Sequence, residues 1–422
     1  MVVQCQRCLY TSDHPLGITF DADYVCSGCR IHEEKDSLDW SARWQELEIL
    51  VSKYRTPGAK YDCIVPVSGA RDSFFVLDMV VNKLNLKPLV VGYNKYFNTP
   101  AGIANLAQLR LAFDVDFQLK NVDPRIVKKI TRKSLYAYGN PYWHCLAGET
   151  VFPVQTAAMM KIPLIIWGAH QGLEQVGMFS HLHNVEMSRR YRKDHDLFGV
   201  DADNLVGDFD DLSEDDTINY KYPAFSDIES VGIRGIYLGN YIRWDPYAQH
   251  LKMVSDFGFR GSALTRTFDA FDHADCYVYS NLHDVLKMYK HGYSKVTDQV
   301  CREIRFGRLT RDLGKQIVCH YENQPPMHMN LFCKWLGVDE RSLQFAANRH
   351  RNKKHWDEVE PDVWVRRKQS MVVPKIAPQH SNLVYTLGSD EINDEDTRGY
   401  ITIGKGVNWP SRPSATVKAN WL

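Results

Sequence analysis

Apolar positions in this chain form short continuous runs separated by stretches with helical spacing. Tyr61-Asp-Cys-Ile-Val-Pro-Val67 is too short for a helix and reads as a buried strand. Phe74 to Val81 follows it with helical length and period. Lys87 to Gly92, Val115 to Leu119 and Ile162 to Trp167 supply three further strands, with an amphipathic helix over Ile103 to Phe113. Upstream, Leu38, Trp40, Trp44, Leu47, Leu50 and Val51 repeat at helical spacing and predict a linking helix over residues 39–54. Strands alternating with helices predict an α/β fold, a doubly wound parallel sheet of five or more strands, with ligands outside the strands' carboxyl ends. Ser68, Asn94 and Gly168 occupy such ends.

The 422-residue length predicts two or three domains. Fifty-one basic residues balance 51 acidic ones, which argues against a surface built to grip nucleic acid. Ile162 to Trp167 is the longest clean apolar stretch, far short of the roughly 20 residues of a membrane span. The first residues lack a signal-peptide layout, so a cytoplasmic enzyme is expected.

Four of the ten cysteines lie within the first 29 residues, as Cys5-x2-Cys8 and Cys26-x2-Cys29. This is the two-knuckle spacing of a structural zinc site, closed by four thiolates and without an open position for substrate. A disulfide framework is the alternative, but no secretory signal accompanies it. Gly28 suits a tight turn in the second knuckle.

Ser68-Gly-Ala-Arg-Asp-Ser73 joins the first strand to its helix. One reading is a pyrophosphate cradle of backbone N–H groups, a helix N-terminus and the hydroxyls of Ser68 and Ser73. The other is a turn whose Ser and Asp cap the helix.

With its strand, this loop resembles the signature of the PP-loop ATP pyrophosphatases, and the wider pattern resembles the bacterial N-acetyl sugar amidotransferases of that superfamily. The likeness runs over roughly residues 5–370. It includes the paired cysteine module, Gly139-Asn-Pro-Tyr-Trp-His-Cys-Leu-Ala-Gly148, Lys161-Ile-Pro-Leu-Ile-Ile-Trp-Gly168 and Tyr237-Leu-Gly-Asn-Tyr-Ile-Arg-Trp-Asp245. A last block runs from Leu282-His-Asp through Lys290-His-Gly-Tyr-Ser-Lys-Val-Thr-Asp298 to Ile304-Arg-Phe-Gly-Arg-Leu-Thr-Arg311. The chain departs from the pattern at Ala70, where the loop has its second glycine, and at Ala169, where the family tends to carry an acidic residue.

The resemblance implies ATP-dependent conversion of a sugar acetamido group to an acetamidino group, within surface polysaccharide (O-antigen) biosynthesis. Attack of the amide oxygen on the α-phosphate gives an adenylated imidate and pyrophosphate, and ammonia then displaces AMP. It places ATP on Ser68, Gly69, Ala70, Arg71, Asp72, Ser73, Asn94 and Gly168, with Asp72, Arg71 and Ser73 as catalytic residues. Asp72 either holds Mg²⁺ or caps the helix; Arg71 either adds a charged donor or faces solvent. Structural Zn²⁺ falls to Cys5, Cys8, Cys26 and Cys29. The substrate is an N-acetylated sugar acid or its nucleotide conjugate. The chain has no glutaminase nucleophile motif, so a separate glutaminase and a cyclase-like channelling subunit are the expected ammonia source, with free ammonia as the simpler one. A PP-loop tRNA-modifying thiolase or ligase is the alternative, with Cys145 drafted as sulfur carrier.

Arg302, Arg305, Arg308 and Arg311 recur every three residues and suit a carboxylate or diphosphate bidentately; a solvated basic face neutralised by Glu303 and Asp312 is the other reading. His144 and His170 join Arg302, Arg305 and Arg308 as substrate-binding candidates. Cys145 reads first as a packed small hydrophobe. His170, His181 and His183 offer a weaker metal-site candidate at the site mouth. The expected organisation is a zinc module over 1–40, a PP-loop domain over 41–320 with an acidic surface insertion near 201–216, a helical region over 321–375 and a peripheral extension over 376–422.

Overall fold

The structure, a computed structural model, describes residues 2–209, 211–367 and 371–372. At its centre lies a five-stranded sheet of β1 (Cys63–Pro66), β2 (Pro88–Tyr93), β3 (Phe117–Lys120), β4 (Leu164–Trp167) and β5 (Arg234–Tyr237), in the order β3-β2-β1-β4-β5. All pairs are parallel, with Val65 beside Val90, Gly92 beside Leu119 and Ile64 beside Ile165. The expected fold class holds, and the fifth strand, absent from the runs read in the sequence, leads into the Tyr237 block and ends at Tyr237. The run from β1 to β3 goes one way and β4 returns to the other side of β1. The loops after β1 and β4 therefore diverge, which opens a crevice at the carboxyl edge.

The three central strands β1, β2 and β4 are apolar because both faces are covered. On one face Cys63, Val65, Leu164 and Ile166 pack with Phe74, Leu77, Leu109 and Phe113; on the other Ile64, Leu89, Val91 and Ile165 pack with Val154 and Ala157. The first cover comes from α3 (Arg71–Leu77), which runs on as a π-helical turn over Asp78–Lys83, and from α4 (Pro100–Phe113), which Thr99 caps. The second comes from α6 (Trp143–Met160), preceded by α5 (Pro124–Tyr138).

The N-terminal cysteine segment has no core of its own. Leu9, Leu16, Val25 and Ile31, the last in α1 (Ser27–Glu34), share one cluster with Leu173, Val176, Met178, Val296 and Val300. The linking helix is α2 (Trp40–Ser52), capped by Asp39. After α7 (Pro246–Phe257) and an irregular stretch over 258–281, the chain is helical through α8 (Leu282–His291), α9 (Lys295–Arg305), α10 (Arg311–Glu322), α11 (Met329–Leu336) and α12 (Glu340–Asn348). A hairpin of β6 (Trp356–Glu360) and β7 (Val363–Arg366) follows, and Trp356 packs on Tyr289.

The acidic stretch is not a bare solvated loop: it forms two short helices, and Asp201, Asp203, Asp211 and Asp216 pair with Arg189, Lys193, Lys221, Lys133 and Lys129. The peripheral extension over 376–422 lies outside the described residues. Among the described residues no helix is long and apolar enough to cross a membrane.

Candidate active site

The crevice between β1 and β4 is a cavity of ≈ 430 Å³. Ser68, Ala70, Asp72, Ser73 and Val76 form one wall with Gly168 and Ala169; His283, Lys287, Lys290, Lys295 and Arg302 from α8 and α9 supply another. Arg192, His195 and Asp196 line it as well, as do Pro15 and Leu16 of the cysteine segment.

The loop after β1 is held from within. Ser73 Oγ accepts from Ser68 N (3.0 Å) and Gly69 N (3.2 Å), and Ser68 Oγ accepts from Ala70 N (3.2 Å). Asn105 Nδ2 donates to Gly69 O at 3.0 Å. The three N–H groups expected to face a pyrophosphate are thus taken up inside the loop, and its donors toward a ligand are the hydroxyl protons of Ser68 and Ser73. Gly69 has φ +87°, and a β-carbon there would lie 2.9 Å from Gly102 O, so glycine is required. Ala70 has φ −90° and ψ 179°, extended backbone that a methyl group tolerates. Ala70 is also the N-cap and offers no side-chain bond to α3, and Ser73 Oγ turns back to the loop N–H groups rather than capping the helix. The side chain of Arg71 lies outside the described residues.

Of the expected ligands, Gly69, Asn94, His144, His170 and Arg308 do not line the cavity. Asn94 is spent on its own turn, accepting from Tyr96 N and Asn98 Nδ2 and donating to Asn121. Its neighbours Tyr93 and Lys95 line the cavity instead, because successive side chains of an extended segment point to opposite sides. His144 is fully buried, bonded to Tyr93 OH at 3.1 Å, and burial drives its pKa down to about 3. His170 Nδ1 accepts from Gly172 N (3.0 Å), its ring lies among Tyr191, Tyr237 and Phe179, and burial pushes its pKa well down. His181 binds Glu34 and His183 accepts from Ser180 N, so these two are structural as well.

The arginine series also needs correction. Arg305 ends α9, Arg308 lies in the following turn and Arg311 opens α10, so the four do not share one face. Arg302 pairs with Asp269 (2.7 Å) and Glu303 (2.9 Å), and Arg308 with Glu303 (2.5 Å) and Asp245 (3.0 Å). Arg311 donates to Gln4. Only Arg302 and Arg305 line the cavity.

The cationic groups that sequence reasoning passed over are lysines of the same block. Lys290 has its pKa pushed down to about 8 by burial. Lys295 is buried, its Nζ sits over the Tyr279 ring with no hydrogen-bond partner among the described residues, and burial drives its pKa well below the ordinary lysine value. Such an amine is a ready partner for an anion. Beside them Lys95 bridges Asp275 (2.6 Å) and Glu149 (2.7 Å), and burial holds Glu149 up despite that lysine. The spacing of Lys287 and Lys290 on one helix is a usable signal, although Lys287 itself pairs with Asp298.

The four cysteines of the N-terminal segment come together. All are buried, and their Sγ atoms lie within 4.8 Å of one another, Cys8 3.5 Å from Cys26 and Cys5 4.0 Å from Cys29. Four ligands about 2.3 Å from a tetrahedral zinc stand about 3.8 Å apart, so the donor set fits. All ten cysteines are free thiols, which removes the disulfide reading. Among the described residues no other group of three or more metal-ligating side chains is in reach of one ion. Gly28 does not make a turn: it lies in α1, where a β-carbon would press on the Arg305 guanidinium and on Gln175 O (2.8 Å). Cys145 is fully buried against His144, and burial pushes its thiol up, which ill suits a sulfur carrier.

Residues 265–370 match a family described as LPS biosynthesis protein WbpG-like, C-terminal domain. That stretch carries Lys287, Lys290, Lys295, Arg302 and Arg305 of the cavity wall. An uncharacterized protein of Methanocaldococcus jannaschii is 26% identical over 121 residues, which span 29% of this chain and 43% of that protein. NMN synthetase from Francisella tularensis aligns over 52% of this chain and 96% of its own, at 11% identity and a TM-score of 0.26, too low to carry an argument.

Proposed function

We propose that the protein is an ATP-dependent amidotransferase of surface polysaccharide biosynthesis that converts the acetamido group of an acidic sugar to an acetamidino group. The observation that carries this reading is the make-up of one cavity. Its loop wall, Ser68 to Ser73, suits a nucleotide's phosphates, and its lysine wall belongs to the stretch that matches the WbpG-like domain.

An amide carbonyl is a poor electrophile and its oxygen a poor leaving group. Transfer of AMP to that oxygen, with loss of pyrophosphate, cures both faults, and ammonia then replaces AMP. The chain's share is positioning and charge stabilisation at phosphorus. Ser68 and Ser73 donate to phosphate oxygens, and Lys290 and Lys295 take the sugar's carboxylate or diphosphate, with Lys287 beside them held by Asp298. Asp72 is the carboxylate of the loop wall that would hold Mg²⁺, which neutralises phosphate charge when bound. The four-cysteine site holds Zn²⁺ in a structural role. A separate glutaminase with a channelling subunit supplies ammonia in the cell.

The test is incubation of the purified chain with ATP, Mg²⁺, ammonium and a panel of 2-acetamido uronic and nonulosonic acids, free and nucleotide-linked. The expected result is a product in which one oxygen is replaced by an imino group, with AMP and pyrophosphate formed in equal amount. ADP as the nucleotide product, or no amidine from any member of the panel, overturns the reading.

A further inference from the structure

Glu149 of α6 stands on the cavity wall beside the exit of β2. Gly148 lets the helix come that close, since a β-carbon there would press into the Tyr93 ring. Glu149 Oε1 lies 2.7 Å from Lys95 Nζ, which in turn lies 2.6 Å from Asp275 Oδ2. The three side chains differ in access. Those of Lys95 and Asp275 are 6% and 2% exposed, whereas that of Glu149 keeps 25%. Glu149 lines the cavity and Asp275 does not, so Glu149 is the carboxylate of the three that a substrate can meet.

This triad adjoins the loop after β1. Gly102, in the first turn of α4, is all that separates them: its O would lie 2.9 Å from a β-carbon on Gly69, and its own β-carbon would press on Asp275 Cα. Thr99 N, at the head of the same helix, donates to Asp275 O at 3.0 Å. On the sheet side Val67 N donates to Val91 O at 2.8 Å, so the β2 exit that carries Lys95 runs beside the start of the loop. A phosphate on the loop and the Glu149 carboxylate thus face one cavity from adjoining walls. Burial raises the Glu149 pKa, and the Asp275 charge adds to the rise against the pull of Lys95 and Arg192. Asp196 on the same wall goes the other way, held low by Arg192 and His195 despite its burial. Of these two carboxylates Glu149 has the greater affinity for a proton.

We propose that Glu149, held in place by Lys95, is the general base of the amination step. The inference rests on the amidotransferase reading above. The amide keeps its N–H on adenylation, so the imidate is protonated at nitrogen. When ammonia adds, a carbon–nitrogen bond forms, the π pair goes to the imidate nitrogen, and the adduct carries an –NH3⁺ group. That group must lose one proton before its nitrogen has a lone pair with which to expel the phosphate. The Glu149 carboxylate takes that proton. The carbon–oxygen bond to AMP then breaks, the oxygen leaves with the bonding pair, and the product is an amidinium ion. The carboxyl group returns its proton to solvent. No oxidant, reductant or further reactant enters. The triad carries two carboxylates against one ammonium, and that net negative charge also suits the cation formed. A positioned base contributes about 10²–10⁴-fold to such a step.

The experiment separates the two half-reactions in the full-length chain. ATP–pyrophosphate exchange, with sugar and without ammonium, reports adenylation; amidine formation from ammonium reports amination. In Glu149→Gln, which keeps the side chain's size, amidine formation should fall about 10²-fold or more relative to exchange. Glu149→Ala should show the same imbalance, and added formate, a carboxylate small enough for the space left, should restore amidine formation at least about tenfold while leaving exchange as it was. Hydroxylamine gives an adduct far more acidic than that of ammonia, so amidoxime formation should suffer at least about tenfold less than amidine formation in both variants. Equal loss of exchange and amination, with no recovery by formate or hydroxylamine, would make the carboxylate structural and overturn the proposal. Undiminished amidine formation in Glu149→Gln would overturn it too. A wild-type chain that shows no exchange and forms no AMP with any sugar fails at the amidotransferase reading instead, which tells the two failures apart.

Discussion

Arg305 Nη2 lies 3.9 Å from Cys26 Sγ, and the same guanidinium closes over Gly28. Arg305 also donates to Gln175 O at 2.6 Å and lines the cavity, so one side chain joins the four-cysteine site to the active-site wall. A zinc held by four thiolates carries a net negative charge, which a buried cation offsets. Arg305→Met should therefore weaken metal retention by about 10-fold or more, the scale of losing an outer-shell partner. Metal release to a colorimetric chelator measures it.

Gly28→Ala acts on the same contact from the other side. The new methyl meets the guanidinium and the Gln175 carbonyl, and the carbonyl is backbone that does not move cheaply. A loss of about 1–3 kcal/mol in urea unfolding is expected, as for an overpacked core position. A change within experimental error would show that α1 and the 174–175 segment can separate at no cost.

The loop after β1 sets one position that shapes the backbone against two whose side chains line the cavity. Gly69→Ala combines positive φ with a close backbone contact and should destabilise the chain by about 1–3 kcal/mol. Asp72→Ala and Ser73→Ala should instead act on pyrophosphate release, by about 10²–10³-fold each. Ser73 carries a second burden, since its Oγ anchors two loop N–H groups. Its variant should show the larger loss of ATP affinity in a binding titration.

Four of the five strands could be read in advance, the central ones because strands covered on both faces are apolar throughout and short; the edge strand β5, which opens on Arg234, gives no such run. The four-cysteine site was equally open, since its ligands are near neighbours in the chain. What stayed hidden depends on residues far apart. Arg302 looked like an anion ligand until Asp269, which lies 33 positions earlier, was found beside it. Asn94 was placed at the right strand end and lost its place by a single residue, because side-chain direction alternates and sequence alone does not fix where a strand's last pair falls. The Arg192–Asp196 part of the cavity wall has no motif: it is seated by the ring of Trp167, over which the Arg192 guanidinium lies at 4.9 Å.

Acid sensitivity should follow from buried histidines. His144 has a folded pKa of about 3, against about 6.5 in the unfolded chain. Between those values the unfolded state binds more protons than the folded one. Stability therefore rises with pH across that window and is lost as pH falls from about 6.5 toward 3. His14, His170 and His283, each pushed well down by burial, act in the same sense. Tryptophan fluorescence should report loss of structure on acidification from pH 6 to 4, and His144→Gln should make the dependence shallower.

Lys295 sets stability against function. Its ammonium form is buried without a hydrogen-bond partner, a cost that burial expresses as a depressed pKa. With the folded pKa below the unfolded one, the penalty is fully present at low pH and fades as pH rises toward the ordinary lysine value. Lys295→Met should accordingly stabilise the chain near neutral pH by about 1–3 kcal/mol, and by less at pH 9.5. The same variant should raise KM for an acidic sugar, because the anion that would restore the ammonium form loses its partner. For the wild type, KM should climb with pH, since binding the anion takes up a proton. Arg308→Ala gives the comparison. Its guanidinium is already spent on Glu303 and Asp245 and does not line the cavity, so KM should stay within about twofold while stability falls by about 1 kcal/mol or less. If Arg308→Ala raised KM and Lys295→Met did not, the anion would have to be assigned to the arginine turn and the lysine wall would lose its role.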